Sequence, residues 1–493
     1  MWESKLDKRK SLIGLLLIMV IAIGLRFINI SRDSLWLDEA ISYLTANLSV
    51  TDILINTIQD PHPPFYYLLL HYWLKLIPDS DSALRFLGVL LNLLLVPLVY
   101  LLALDLLGRY SLALLSALFI AISPFQIAYS HELRMYALLM LLITLMVWAY
   151  WHAIRQEKWC WWLLFFITAL LSIYTHLFSF FALTAIGIYA LINYRNRRAL
   201  ITTILMGVVL AVLFAPWLYI LAGESQYDLG SLRPLLTIDN NPIKLIIAFT
   251  FLLFGQSTNL WYSGAALFLT VAIIIIFLME MRRVRQKEES KALLLLGLLV
   301  LCIIGLPVIF YYIRPFFLPE RTMAAASPFL LILLAWAVTR RRSPLPFLIM
   351  IAGLVMLVGS LVYLLGEAQK PPYREVIELV AQNLETDDVI LHTSDGSYLP
   401  ALRYEDLPNH AVLAGDPDPR KPISVFEAWG GNVWERETAI RAGPRLWVIV
   451  ALEHSLDWQM EQSQSFADDY SMIQEQDIGG IKIYLYDLAN NEG

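Results

Sequence analysis

Only two of the 493 residues are cysteine, Cys160 and Cys302, and both lie in or beside apolar runs. That excludes a disulfide framework and a cysteine-based metal site. Charge is scarce as well: Asp, Glu, Lys and Arg make up 16% of the chain, too little for an ordinary soluble globule. The net charge of −6 says nothing useful about nucleic acid, and the basic residues sit in short clusters rather than one patch, so no such partner is expected. No period of 20–50 residues marks a repeat protein. No small-residue cleavage site follows the first apolar run, 11–30, which therefore reads as an uncleaved span and not a secretory signal.

Apolar runs are what the chain has in abundance: 58% of its residues are hydrophobic. Runs near the roughly 20 residues that a bilayer requires recur as far as residue 365. Lys and Arg collect in cytoplasmic loops, which sets the threading. The strongest clusters are the N-terminus, then Arg195, Arg197 and Arg198, then Arg282, Arg283, Arg285 and Lys287, then Arg340, Arg341 and Arg342. Placing these inside predicts spans at 11–30, 84–107, 111–129, 135–154, 159–175, 177–194 and 344–365, with loop 31–84 outside. Segments 65–77 and 244–254 are too short to cross and are expected to lie at the outer interface or to re-enter. The expectation is a polytopic α-helical membrane protein of about 11 to 13 membrane helices, multi-pass in the plasma (inner) membrane. The division predicted is a transmembrane domain over 1–366 and an extracytoplasmic α/β domain over 367–493. Apolar stretches at 388–392, 411–414, 446–450 and 481–486 read as strands, with helices at 373–384 and 458–467.

The residues able to do chemistry gather in the loops placed outside. Asp38 and Glu39 are adjacent carboxylates in an otherwise apolar and aromatic stretch, 35–43, which suits an amphipathic helix at the membrane surface. Taken alone they are better read as solvating or capping that helix. The same loop ends in Asp60, Pro61, His62, Pro63, Pro64, Phe65, Tyr66 and Tyr67. Its prolines forbid a continuous helix and fix the backbone around His62. Glu132 and Arg134 follow a later span, where a local ion pair is the plain alternative. Arg314 and Arg321 stand in an outer loop, where basic residues are not expected; either an anionic headgroup or phosphate partners them, since Arg binds phosphate through a planar fork, or they snorkel at the span ends. His176, at a tight outer turn, is expected to be structural or part of a pocket wall.

In that order, the Trp-Leu-Asp-Glu-Ala, Asp-Pro-His-Pro-Pro-Phe-Tyr-Tyr, Glu-Leu-Arg-Met-Tyr and Pro-Glu-Arg motifs resemble the GT-C superfamily of membrane glycosyltransferases. Within it they are similar to the family of protein O-mannosyltransferases and lipid A aminoarabinose transferases, over about the first 365 residues. A lysine stands in the aminoarabinose transferases where His62 stands here. The resemblance implies a sugar donor linked to polyprenyl phosphate, held in the lipid bilayer by its chain, and a lipid, glycan or protein acceptor. It implies that Asp38, the first acidic residue of the first outer loop, is the catalytic base, with Glu39 beside it, and that transfer inverts the anomeric centre. Asp60, His62, Tyr66, Glu132, Arg134, Arg314 and Arg321 become the substrate-binding candidates. No cofactor is required, although a divalent metal ion at Asp38, Glu39 and Asp60 is compatible with their chemistry. The competing reading is a flippase for lipid-linked saccharides; transporters, however, place polar sites near mid-membrane between repeats.

Overall fold

The computed structural model describes residues 5–58, 62–193, 195–224, 260–281, 284, 286–313, 321, 323–340, 344–415, 423–451 and 456–489. The chain divides into two compact units. One comprises Met1–Asn29, Thr57–Tyr66 and Arg85–Glu367; the other comprises Ile30–Asn56, Tyr67–Leu84 and Ala368–Gly493.

The chain begins with α1 (Lys5–Phe27), α2 (Leu37–Asn47), α3 (Val50–Ile58), α4 (Phe65–Leu74) and α5 (Asp81–Leu107). There follow α6 (Tyr110–Ile122), α7 (Pro124–Ser130), α8 (Tyr136–Gln156), α9 (Trp159–Ile173), α10 (Ser179–Ile192) and α11 (Arg197–Glu224). The described helices of the first unit end with α12 (Leu260–Met281), α13 (Lys287–Val300), α14 (Leu306–Ile313), α15 (Ser327–Arg340) and α16 (Pro344–Gly366). Among the described residues five helical stretches are long and apolar enough to cross a membrane, or six if the bent pair α6–α7 is one span. Leu16 and Val20 on α1, and Val208 and Val212 on α11, are each more than half exposed. Such apolar stripes fit a hydrocarbon solvent, not water. The expected segment 244–254 lies outside the described residues.

The span expected at 111–129 is broken: α6 and α7 meet at 55°. Pro124 lacks the N–H that would continue the helix, so carbonyls of the last α6 turn lose their partners. Arg26, fully buried, supplies the donors. Its Nη1 donates to the carbonyls of Ala22 (3.1 Å) and Ala121 (2.9 Å), and its Nη2 to Ile120 (3.0 Å). Nε and Nη2 both reach Asn92 Oδ1, at 2.9 and 2.7 Å. All five guanidinium protons are thereby used, which is what makes a buried cation tolerable here. The network continues from Asn92 to Gln126 (2.8 Å) and on to Ser327 (2.6 Å). Where α5 passes the end of α7, a Cβ on Gly88 would stand 2.6 Å from the Ser130 carbonyl, so the close approach requires glycine.

In the second unit the C-terminal residues form α17 (Tyr373–Asn383), β1 (Val389–His392), α18 (Asp395–Tyr404), β2 (His410–Leu413), α19 (Ile423–Ala428) and β3 (Val433–Trp434). They continue with α20 (Arg436–Arg441), β4 (Arg445–Ala451), α21 (Leu456–Asp469), β5 (Ser471–Ile478) and β6 (Ile481–Asp487). The sheet runs β3-β2-β1-β4-β6-β5, parallel through β4 and antiparallel beyond it. Alternation along β4 fills both faces: Leu446, Val448 and Val450 join one core with Phe466, while Trp447 and Ile449 join the other with Val376 and Val380. The four strands and two helices expected from sequence are present. Not anticipated were α18, α19, α20, the two-residue β3 and the polar edge strand β5.

The apolar stripe of α2 was expected at the membrane surface. Leu37, Ala40, Ile41 and Leu44 instead pack on Tyr398 and Leu399 of α18, Val412 of β2 and Phe426 of α19. The i, i+3, i+4, i+7 spacing is that of one helix face. Burying its three large side chains is worth roughly 5–9 kcal/mol relative to exposure, an upper bound. Buried charge ties the same parts together. Asp81 pairs with Arg374 and accepts from the Tyr404 hydroxyl (3.0 Å), which itself accepts from Leu35 N (2.5 Å). Arg403 reaches Asp79 (2.9 Å) and lies 4.6 Å from the centre of the Tyr43 ring. Burial, then the Asp81 charge, pushes the Tyr404 phenol well above its usual range, so it stays a neutral donor.

Candidate active site

In the helical unit the His-Pro-Pro segment is anchored by Phe65 N donating to the Tyr174 carbonyl at 3.0 Å. That bond brings the start of α4 to the α9–α10 turn. His62 and His176 meet edge to face there, ring centroids 5.4 Å apart. Arg134, almost fully buried, lies with Nη2 3.5 Å from His62 Nε2, the outer limit of a hydrogen bond. Arginine can only donate, so any hydrogen bond here has Nε2 as its acceptor. His176 Nδ1 accepts from Phe178 N (3.1 Å), and its ring lies 6.1 Å from that of Tyr136. An aromatic wall continues from Tyr136 to Tyr129, at 5.3 Å. The cluster thus offers a buried guanidinium and an imidazole beside aromatic rings, a chemistry suited to a phosphate and a sugar.

The loop carrying Arg134 is held from behind. His131 Nε2 bonds the Arg26 carbonyl at 2.7 Å, and Gly88 admits the Ser130 carbonyl at close range. The Arg26 backbone thus holds this loop, a link that sequence reasoning did not single out. Its only sequence signal is a charge at the end of an apolar run. His176 was expected to be structural or a pocket wall; the structure sets it on His62. Tyr66 is buried, while Glu132 and Arg321 are half-buried. Asp60 and Arg314 lie outside the described residues.

In the second unit, Asp38 and Glu39 occupy the first turn of α2, where the helix dipole favours carboxylates. Their surroundings differ. Glu39 is fully buried, and its Oε2 stands 2.7 Å from Lys370 Nζ. Asp38 is half-buried, with Oδ2 turned away from solvent. A divalent ion at these carboxylates does not fit well, because Lys370 already neutralises Glu39. Among the described residues no three His, Cys, Asp or Glu side chains cluster as metal ligands.

A second histidine pair lies in this unit. His392 and His410 are buried, Nε2 to Nε2 at 2.8 Å, and His392 Nδ1 is 2.8 Å from Ser397 Oγ. Burial lowers both imidazoles, His410 to about 4, and each histidine is neutral at physiological pH.

Residues 61–220 match the family of dolichyl-phosphate-mannose-protein mannosyltransferase. No curated protein sequence matches the chain. Its fold is similar to that of ArnT from Cupriavidus metallidurans in the apo state, with TM-score 0.65 and 14% identity over 97% of this chain and 98% of that one. The same enzyme bound to undecaprenyl phosphate gives TM-score 0.64 at 12% identity, over 95% and 97% of the two chains. The archaeal oligosaccharyltransferase AglB from Archaeoglobus fulgidus, in complex with an inhibitory peptide and a dolichol-phosphate, gives 0.56 at 13%, over 98% of this chain and 74% of its own. At such identities the likeness is one of fold. The family match spans His62, Arg134 and His176. The chain is similar in fold to ArnT and AglB, and its residues 61–220 match the mannosyltransferase family.

Proposed function

We propose that the protein transfers a sugar from a polyprenyl-phosphate donor to an extracytoplasmic lipid, glycan or protein acceptor, with inversion at the anomeric carbon. The meeting of His62, Arg134 and His176 inside the family-matched segment carries this reading. The undecaprenyl phosphate and dolichol-phosphate of the similar structures are ligands of the same class. The arrangement proposed is about 11 to 13 membrane helices in the plasma membrane, with loop 31–84 and the α/β domain outside.

Asp38 acts as general base. As the acceptor oxygen or nitrogen attacks the anomeric carbon, its proton passes to the Asp38 carboxylate. The bond from that carbon to the phosphate oxygen breaks, and the polyprenyl phosphate leaves as an anion. Arg134 and His62, with Arg314 and Arg321, stabilise the charge that collects on it, so no general acid is needed. Asp60, Tyr66 and Glu132 line the substrate. Glu39, held by Lys370, positions the helix turn that carries Asp38.

The test is a transfer assay on purified protein with a radiolabelled polyprenyl-phosphate sugar. Asp38→Asn should lower turnover by about 10²–10⁴-fold with little change in donor affinity; Glu39→Gln should lose less. Full activity in both variants would overturn the assignment of the base. Donor that crosses vesicles while every sugar stays on its lipid would make the protein a flippase.

A further inference from the structure

The helical unit contains a cavity of about 570 Å³ that the proposed chemistry does not use. It lies between the C-terminal ends of α8 and α10 and the first turns of α11 and α13, and its volume is that of a ligand site. Tyr136 at the start of α8 faces His176, whereas Arg155, near the end of α8, lines this cavity. At 1.5 Å per residue the two sites are roughly 30 Å apart along that helix. The positive-inside rule assigns the cavity end of the bundle to the cytoplasm.

Its wall carries Arg155, Arg195, Lys287 and Lys291 against one carboxylate, Glu288. Glu288 is already occupied: Lys291 lies 2.8 Å from it and Arg155 3.1 Å. Arg195 and Lys287 have no ion-pair or hydrogen-bond partner among the described residues. The Tyr189 ring is buried in the floor, and its hydroxyl makes no hydrogen bond among the described residues. Cations that only marked topology would spread into the headgroup layer. These line one cavity, together with Tyr189.

We propose that this cavity binds the phosphate group of an anionic ligand, separately from the donor site. Two cations with no ion pair or hydrogen bond among the described residues, and one phenol, match a phosphate mono- or diester. The phosphate could come from a lipid headgroup or from a soluble phosphate, and the chemistry of recognition is the same.

The test uses the full chain in nanodiscs and two double variants. In Arg195→Gln/Lys287→Gln the cavity cations without partners are removed. In Lys158→Gln/Arg197→Gln two basic residues at the same end, outside the cavity lining, are removed. Native mass spectrometry counts phosphatidylglycerol retained from a phosphatidylcholine and phosphatidylglycerol mixture. Equilibrium dialysis in phosphatidylcholine alone measures binding of inorganic phosphate. The cavity variant should bind about 30-fold more weakly, at roughly fivefold per surface cation, while the second variant stays near wild type. That pattern in the lipid arm assigns a headgroup, and in the dialysis arm a soluble phosphate; either supports the site. Equal loss in both variants, or no loss and no binding in either arm, would reduce the cavity to a diffuse basic surface. Size-exclusion profiles confirm folding, which these exposed residues should not disturb.

Discussion

The two histidine pairs place the same side chain in opposite circumstances. His62 and His176 meet edge on, beside the buried Arg134, with His62 half-exposed. His392 and His410 share a proton between their Nε2 atoms and are sealed under Tyr398, whose ring stacks on His410 edge to face at 4.9 Å. The first pair has a cation and aromatic walls that a phosphate and a sugar can use. The second has three of its four ring nitrogens hydrogen-bonded within the protein and no charge for a ligand. Pairing alone therefore says nothing of function; access and the charge alongside decide it.

Arg134→Gln should break the contrast most sharply. If Arg134 has its proposed role at the leaving phosphate, turnover is expected to fall by about 10²–10³-fold in the transfer assay. Arg134→Lys should recover only part, because a point charge replaces a fork. Unchanged turnover in folded Arg134→Gln would place the first pair with the second, as core.

The second pair should show itself in stability. Both imidazoles titrate below the ordinary value near 6.5, so between that pH and about 4 the unfolded chain binds protons that the folded chain refuses. Stability is therefore complete above pH 6.5 and is lost as pH falls toward 4. His410 alone should contribute a loss of about 3 kcal/mol, from its shift at 1.36 kcal/mol per unit. Hydrogen exchange of β1 and β2 amides in the full chain, corrected for intrinsic rates, would measure it. His410→Gln should flatten the slope without altering turnover at neutral pH.

Gly88→Ala sharpens the comparison from the frame of the first site. Its methyl would force the Ser130 carbonyl, and with it the loop of Arg134, to shift. Turnover is expected to fall by roughly tenfold, with KM for donor rising, as reacting groups lose alignment. Arg436→Gln provides the baseline. Its ion pair with the half-exposed Asp469 lies beside neither histidine pair, and its removal should cost under about 1 kcal/mol in thermal unfolding.

Much of the architecture was legible because it rests on local pattern. A span is a run of apolar residues, and a buried parallel strand such as β1 is a short one, so both are written in consecutive positions. The segment 111–129 was recognisable as apolar, and Pro124 within it gave the break a visible cause. Strand β5 escaped notice because an edge strand with a polar face has no apolar run, and β3 because two residues make no pattern.

The candidate motifs were also visible in the chain, since Asp-Glu and His-Pro-Pro are contiguous. What their neighbours would be was not. His176 reaches His62, Lys370 neutralises Glu39, Arg26 caps the break before Pro124, and α2 buries its stripe on the α/β fold. None of these contacts is fixed by spacing along the chain. Each satisfies a buried polar group or apolar face with a partner far away in sequence, and packing alone selects which partner arrives. Sequence thus determined that this is a membrane chain with a C-terminal α/β fold and which loops carry its carboxylates and cations. Tertiary structure decided which of those charges are already neutralised within the protein, because burial makes an unmet charge too costly to keep.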